Sequence, residues 1–390
     1  MLALVMPTPP IDEFLRRELL RFDAALPVER ASTPPASWYV APEFHRLERD
    51  AVFGRTWQPV ARVEQLRAPG SYVAGCFADR PFVITRDLDG TLRAFHNVCR
   101  HKGREVVRGE GQADALVCGY HAWSYELGGR LRKAPQLAGI VDFDREAMSL
   151  VPMQVECWGP WVFVNVDLAA APLLPRVAEL DAQLRASEWH ELRYVTRTEW
   201  TIACNWKVYV DNYLDGGYHV PHMHPTLDAQ LDMANYRTTL FGEFSIQTCP
   251  SARGPSETVE LAIAAEQRIG TQAIYAWLFP NFMINRYGPC LDSNHVIPLG
   301  PDRCKVVYEF YFREDDGADA SEFVARSIEQ SAVTQREDIE ICESVQRGLG
   351  SGAYEQGRYA PRVEHGEHHF HGLLAGMLRD CVDAERHARG

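Results

Sequence analysis

The stretch NWKVYVDNYLDGGYHVPHMHP, Asn205 to Pro225, decides how the chain is to be read. It sets His219 and His224 five residues apart and places Asp211 and Asp215 one helical turn apart just upstream. Asn212 and Tyr218 sit among them. Imidazole suits divalent iron, and two histidines with one carboxylate leave positions on the metal open for oxygen and a substrate. Five-residue spacing is off-register for two ligands on one helix, where i and i+4 are neighbours. Pro221, between the histidines, is expected to break the helical ladder, and Gly216-Gly217 loosens the approach. The stretch therefore reads as a helix ending near Tyr218, then a turn that swings His224 back toward His219. A histidine-rich surface loop, or core histidines satisfied by hydrogen bonds, is the plainer reading. His222 is expected at the surface or behind the ligands.

Working outward, a second metal-type constellation lies upstream. Cys99 and His101 form C-x-H, and Cys118 and His121 form C-x-x-H after sixteen intervening residues. Short strand-like runs surround them between Trp57 and Asp167, and Asp87-Leu88-Asp89-Gly90 gives a hairpin signal just before the first pair. Two thiolates and two imidazoles at hairpin tips are the ligand set of a Rieske [2Fe–2S] centre, with two histidines replacing two cysteines on one iron. The alternative is a tetrahedral Cys₂His₂ zinc site. Zinc sites favour C-x-x-C and H-x-x-x-H pairs, whereas one cysteine and one histidine on each loop is the Rieske pattern. The other eight of the ten cysteines show no paired spacing and read as buried apolar residues.

Length and composition bound the rest. At 390 residues two domains are expected. No apolar run approaches the ~20 residues of a membrane span. The start, MLALVMPTPPIDEF, lacks the basic region of a signal peptide and the Arg- and Ser-rich character of a transit peptide. The scattered cysteines suit a reducing cytoplasm. A net charge of −13 argues against nucleic acid, which needs clustered Lys and Arg. Neither a membrane nor nucleic acid is expected as a partner.

Helical spacing marks residues 11–25 and 42–56, a connector at Leu173–Glu191, a long helix at 321–347 and a terminal helix near residue 380. From Tyr194 strands mix with helices; YAWLFPNFMINRYG (275–288) and CKVVYEFYF (304–312) carry aromatic faces.

On these residues the chain resembles the catalytic α-subunits of the Rieske non-haem iron oxygenases, the ring-hydroxylating family, over nearly its whole length. The resemblance is closest to the choline monooxygenase-like members, through NWKVYVDNYLDGGYHVPHMH, YAWLFPNFMINRYG, PLGPDRCKVV, QREDIEICESVQRGL and HGEHHFHGLL. It implies an α+β chain: residues 1–56 packing on the catalytic domain, an all-β Rieske domain at 57–167, and a helix-grip catalytic domain at 168–390. It implies a mononuclear Fe(II) held by His219, His224 and Asp338, the acid of QRED. On helical geometry Asp338 shares a face with Val324, Ile341, Cys342 and Val345, while Glu340 and Glu343 point elsewhere. A carboxylate on an apolar face needs a partner. In the family an acid three residues before the first iron histidine links one subunit's cluster to the next subunit's iron. Gly216 occupies that position here, so Asp215 is the expected link, Asp211 the fallback, and Asn212 lies near the iron. Ala122 stands where the family usually has Gly before the cluster tryptophan, Trp123.

The implied activity is O₂-dependent hydroxylation or N-demethylation of a quaternary ammonium compound such as choline or a betaine. An aromatic or other small organic substrate is the runner-up, and a Rieske electron carrier or redox sensor is the reading from a different class. An aromatic cage suits a trimethylammonium group; Trp277, Phe279, Phe282 and Tyr287 are the candidates, against the ordinary expectation that alternating strand aromatics are core. No Gly-rich dinucleotide fingerprint is present. NAD(P)H is therefore expected to act only through a separate reductase or ferredoxin, and the working unit to be a homotrimer with head-to-tail contacts.

Overall fold

The computed structural model describes residues 11–253, 259, 263–313 and 318–389. The first ten residues of the apolar N-terminal run lie outside the described residues. The chain forms two compact units: an inserted one at Phe53–Gln183 and a discontinuous one formed by the chain on either side of it.

The discontinuous unit begins with helices α1 (Ile11–Leu20), α2 (Ser37–Val40) and α3 (Pro42–Ala51). The first stops short of the expected Ala25 because the Asp23 carboxylate accepts the Ala25 N–H at 3.0 Å and turns the chain.

The inserted unit is built of antiparallel strands, with a short 3-10 turn at Val63–Leu66 and one α-helix. Its strands are β1 (Gln58–Arg62), β2 (Ser71–Phe77), β3 (Arg80–Arg86), β4 (Leu92–His96), β5 (Gly109–Gln112), β6 (Leu116–Val117), β7 (Ser124–Tyr125), β8 (Leu131–Lys133), β9 (Pro152–Trp158) and β10 (Trp161–Asn165). Seven of them run in the order β1-β10-β9-β4-β3-β2-β5, and β6-β7-β8 make a small second sheet. Asp87–Gly90 joins β3 to β4, with the Gly90 N–H on the Asp87 carbonyl at 2.9 Å. The unit reaches beyond 57–167 because helix α4 (Leu173–Leu184) is tied into it. The Glu156 carboxylate accepts the free N–H groups of Leu173 and Leu174 at the helix start, and Trp158 Nε1 donates to Asp181 at 3.1 Å.

The discontinuous unit resumes with β11 (Arg193–Ile202), α5 (Trp206–Leu214), α6 (Val220–Met223), α7 (Pro225–Asp228), β12 (Arg237–Leu240), β13 (Phe244–Pro250) and α8 (Ala265–Arg268). It closes with β14 (Gln272–Leu278), β15 (Phe282–Tyr287), β16 (Cys290–Gly300), β17 (Arg303–Phe312), α9 (Ala318–Leu349) and α10 (His365–Arg389). The seven strands form one antiparallel sheet, β11-β17-β16-β15-β14-β13-β12, and α5 packs between it and the two long helices. Most of α5 is buried. Lys207, fully buried, places Nζ 2.5 Å from Glu48 on α3, and Trp206 Nε1 donates to the other Glu48 oxygen at 2.7 Å. A charge this deep persists only because it is paired.

Two expectations need correction. Helix α9 does not present an apolar face: Ser327, Gln330, Gln335, Asp338, Cys342 and Gln346 are its buried side, and Val345 is exposed. Several of these polar groups find partners across the helix face: Tyr209 and Tyr308 both donate to Gln335 Oε1 at 2.6 Å, Gln330 Nε2 donates to Gln230 Oε1 at 2.9 Å, and Asn212 Nδ2 donates to Asp338 Oδ1 at 2.7 Å. The cysteines outside the first pairs are not uniformly buried either. Cys76 is exposed and Cys157 half-buried, while Cys204 and Cys304 meet at 3.8 Å between sulfurs beside the buried Cys342.

Candidate metal centres and pocket

Helix α5 ends at Leu214, earlier than the sequence suggested, because Gly216 and Gly217 both take left-handed backbone, φ 72° and 76°. This double glycine turn lets the Asp215 carboxylate fold over the segment that follows. It accepts the N–H groups of Gly217, Tyr218 and His219 at 2.9, 3.2 and 3.0 Å and meets His219 Nδ1 at 2.6 Å. Pro221 does not break the ladder. It sits in the first turn of α6, where its missing N–H is not needed. His219 and His224 flank that one-turn helix, their ring centroids 4.9 Å apart. His222 is exposed.

The two imidazoles converge on Asp338 through their Nε2 atoms. His224 Nε2 lies 3.1 Å and His219 Nε2 3.7 Å from Asp338 Oδ1, and one donor atom from each of the three lies within 4.8 Å of the others. Each Nδ1 is engaged by an acid, His219 by Asp215 and His224 by Glu337 at 2.7 Å. A carboxylate behind each imidazole fixes its tautomer and leaves Nε2 as the free donor, the arrangement of metal-ligating histidines. Asn212 Nδ2 donates to Asp338 Oδ1 at 2.7 Å and orients the third donor. Two imidazole nitrogens and one carboxylate oxygen, gathered on one side of a polar pocket, fit a divalent iron. Burial works against a charge on His224, but Asp338 and Glu337 outweigh it and raise its pKa. Glu337 was not singled out in the sequence, where nothing distinguishes it from the helix acids around it.

Asp211 stands elsewhere. It accepts from Tyr39 Oη at 2.8 Å and pairs with His371 Nε2 at 3.0 Å, and His371 Nδ1 meets Tyr359 Oη at 2.7 Å. It lines an open cleft of about 1010 Å³, mouth included, with Tyr39, Tyr354 and Glu367, and does not border the pocket at the three donors. Asn212 and Asp215 border both spaces.

That pocket encloses about 770 Å³, mouth included. Its lining corrects the aromatic expectation. Only Tyr287 of the four candidates borders it. Trp277, Phe279 and Phe282 are core: Trp277 packs edge-on to Phe370 of α10 at 5.6 Å, Phe279 lies 6.3 Å from Phe370, and Phe282 is buried. Tyr213, Tyr236 and Tyr275 take their place. Tyr275 is central, with centroids 6.5 Å from Tyr213, 6.3 Å from the stacked Tyr236 and 5.7 Å from Tyr287. Gly217 makes room for the Tyr236 ring, 2.9 Å from where a Cβ would stand. Register sets Tyr275 beside Asn285 and Asn285 beside Asp292. Asn285 donates to Asp292 at 2.6 Å and accepts from Tyr213 Oη at 2.8 Å. Burial raises the Asp292 carboxyl to about 7, against the pull of Asn285 and Arg268.

In the inserted unit Cys99 and Cys118 are buried in the core cluster of Leu116, Trp123, Tyr125 and Leu131, while His101 is half-buried and His121 exposed. The loops hold themselves: Cys118 N–H donates to Trp123 O at 2.8 Å, and Cys99 N–H to Arg104 O at 2.8 Å. His101 stacks on Trp123 at 4.9 Å and meets His121 at 4.6 Å. Tyr125 Oη lies 3.3 Å from Cys99 Sγ, a hydrogen bond of the kind that tunes cluster potentials. Inward thiols and outward imidazoles on two adjoining loops suit a [2Fe–2S] cluster. Ala122, before Trp123, has φ 57°.

A Rieske-type loop pair and a two-histidine, one-carboxylate pocket in a seven-stranded sheet define an oxygenase α-subunit. Residues 56–145 match the Rieske [2Fe-2S] domain family, and residues 188–380 the ring hydroxylating alpha subunit (catalytic domain) family. A chloroplastic choline monooxygenase of Arabidopsis thaliana is 45% identical over 373 residues, 92% of this chain and 86% of the relative. The carnitine monooxygenase oxygenase subunit of Escherichia coli (strain K12) is 31% identical over 379 residues, 92% of this chain and 98% of that one. The quaternary ammonium Rieske monooxygenase CntA, solved with L-carnitine, superposes with TM-score 0.77 at 27% identity, covering 95% of this chain and 99% of that one. The chain belongs to the Rieske non-haem iron oxygenases, and its cofactors are a Rieske [2Fe–2S] cluster and a mononuclear iron. Among the described residues no helix is long and apolar enough to cross a membrane.

Proposed function

We propose that the protein is the oxygenase component that oxidises a small quaternary ammonium compound at a carbon bonded to nitrogen or oxygen. The observation that carries this reading is the pocket wall: six tyrosines, four of them (Tyr213, Tyr236, Tyr275 and Tyr287) clustered, and a buried carboxylate, Asp292, border the same space as His219, His224 and Asp338. Tyrosine faces attract a trimethylammonium group, more strongly once water is excluded, and Asp292 supplies opposite charge. A wall carrying that carboxylate suits a cation better than an aromatic hydrocarbon. The relatives named for choline and carnitine agree in substrate type.

His219, His224 and Asp338 are the proposed iron ligands, and Cys99, His101, Cys118 and His121 the cluster ligands. When bound, the two groups supply electrons and oxygen activation. The chain's own residues do the rest. The tyrosines hold the ammonium head still, Asp215 and Glu337 keep each Nδ1 protonated so that Nε2 stays a donor, and Asn212 holds Asp338. Overall, one atom of O₂ enters a substrate C–H bond, and the other leaves as water with two electrons and two protons. Insertion at an N-methyl carbon then releases formaldehyde, the tertiary amine and a proton.

Asp215 is the proposed link between one subunit's cluster and its neighbour's iron, because it holds His219 and also borders the second cavity. A head-to-tail homotrimer is the assembly that link requires, and a CntA structure described for inter-subunit electron transfer supports it. Electrons come from a separate reductase or ferredoxin, and the ten cysteines, none in a disulfide, suit the cytoplasm.

The test is a single turnover of chemically reduced protein with oxygen and choline, glycine betaine, carnitine or simple aromatic acids. Formaldehyde or an aldehyde product is expected from a trimethylammonium compound. Product from the aromatic acids alone would overturn the reading. With the active substrate, His219→Ala should abolish oxygen uptake while the cluster's visible spectrum stays; unchanged uptake would favour a redox sensor.

A further inference from the structure

Arg268 ends α8 and is 3% exposed, yet among the described residues it forms no ion pair, and Asp292 feels its charge only at longer range. Nη1 donates to Gln230 Oε1 and Nη2 to Ser331 Oγ, each at 3.2 Å, and the buried Nε–H has no hydrogen-bond partner. Both hydrogen-bond partners of the guanidinium are therefore neutral side chains. Its carbon stands 4.8 Å from the centre of the Tyr287 ring, and the side chain borders the pocket. A buried cation hydrogen-bonded only to neutral groups is costly, and a planar guanidinium with spare N–H groups is matched by a carboxylate.

Helix α9 measures where that charge sits. Ser331, which touches Arg268, precedes Asp338 by two turns, so the guanidinium is displaced about 10 Å along the helix from the proposed iron ligand. Thr334, between them, also borders the pocket. The space thus carries Asp292 among the tyrosines and a cation beside Tyr287. A molecule of net positive charge gains from the first and is repelled by the second. A zwitterion gains from both.

We infer that Arg268 is a specificity-determining residue for a substrate carboxylate, and that the enzyme's substrate is a betaine, a quaternary ammonium acid, rather than choline. This rests on the quaternary ammonium reading above. The Nε–H and the spare Nη hydrogens take the carboxylate, Ser331 steadies the guanidinium, and the ammonium head lies against the remaining tyrosines.

The test is calorimetric binding, without oxygen, of choline, glycine betaine, carnitine and γ-butyrobetaine to the holoenzyme. At least one carboxylated ligand should bind about tenfold or more tighter than choline, as a charge-assisted bidentate contact allows. Arg268→Gln should erase that preference by weakening the carboxylated ligands alone, and Arg268→Lys should restore part of it. If Arg268→Gln does not fold, the wild-type ranking and Ser331→Ala still decide. Choline binding as tightly as every betaine, or equal loss for all ligands in Arg268→Gln, would overturn the assignment and leave the ammonium reading standing. Binding of none of the four would overturn that reading, and this one with it.

Discussion

Ala122 holds a backbone conformation that L-residues with a Cβ adopt at a cost of about 1–2 kcal/mol, and it does so on the loop that carries Cys118 and His121. The sequence showed an alanine in place of the family's glycine; the structure shows why glycine belongs there. Ala122→Gly relieves the strain but gives back part of the gain through a freer unfolded chain. The net expectation is a stabilisation of roughly 0.5–1 kcal/mol, read as a higher urea midpoint with the cluster spectrum unchanged. A lower midpoint would show that the strain is not there. Asp292 makes a second prediction at this scale. Its folded carboxyl titrates at about 7, raised by burial. The linked stability is therefore fully present below the unfolded value of about 3.9 and lost as pH rises through about 7. A cationic head prefers the ionised form, so its binding should tighten between about pH 6 and 8, and Asp292→Asn should flatten that profile. A flat profile in the wild type would remove Asp292 from recognition.

At the level of elements, the turn after α5 carries the site. An added Cβ at Gly216 would overlap the Val363 carbonyl, and its left-handed φ penalises any side chain as well. Gly216→Ala should therefore cost a few kcal/mol locally and lower mononuclear iron content by tenfold or more, with the two cluster irons retained. Full iron occupancy would show that the turn is not what sets His219. Much of this site was legible in the chain. The paired spacings marked Cys99/His101, Cys118/His121 and His219/His224, the family resemblance added Asp338, and the departure at Gly216 pointed to an altered turn. The cage was half legible. Alternation shows which strand residues share a face, but not which end of the strand reaches the pocket. Trp277 and Tyr275 are two apart on β14, yet one packs on Phe370 and the other borders the cavity. Glu337 and Arg268 were invisible because neither breaks a local pattern; only tertiary packing brings them to the pocket.

Across the whole molecule, each proposed set of metal ligands lies within one compact unit, and the two units differ in continuity. The inserted unit is one unbroken segment. Its host needs the chain on both sides: Glu48 on α3 must find Lys207 and Trp206 on α5 before either charge can be buried. A chain made from its N-terminus therefore finishes the cluster-bearing unit while Glu48 still lacks its partner. Asp338 follows Gln183 by about 150 residues, some 8–30 s of synthesis at about 5–20 residues per second. Assembly is then ordered in time, iron–sulfur insertion being possible on the ribosome and mononuclear iron only after release of the last helices. A ribosome-bound chain arrested far enough beyond residue 183 for the inserted unit to clear the exit tunnel, but before Asp338, should take up the cluster's visible absorption on reconstitution; a colourless arrested chain would mean that the host has to close first.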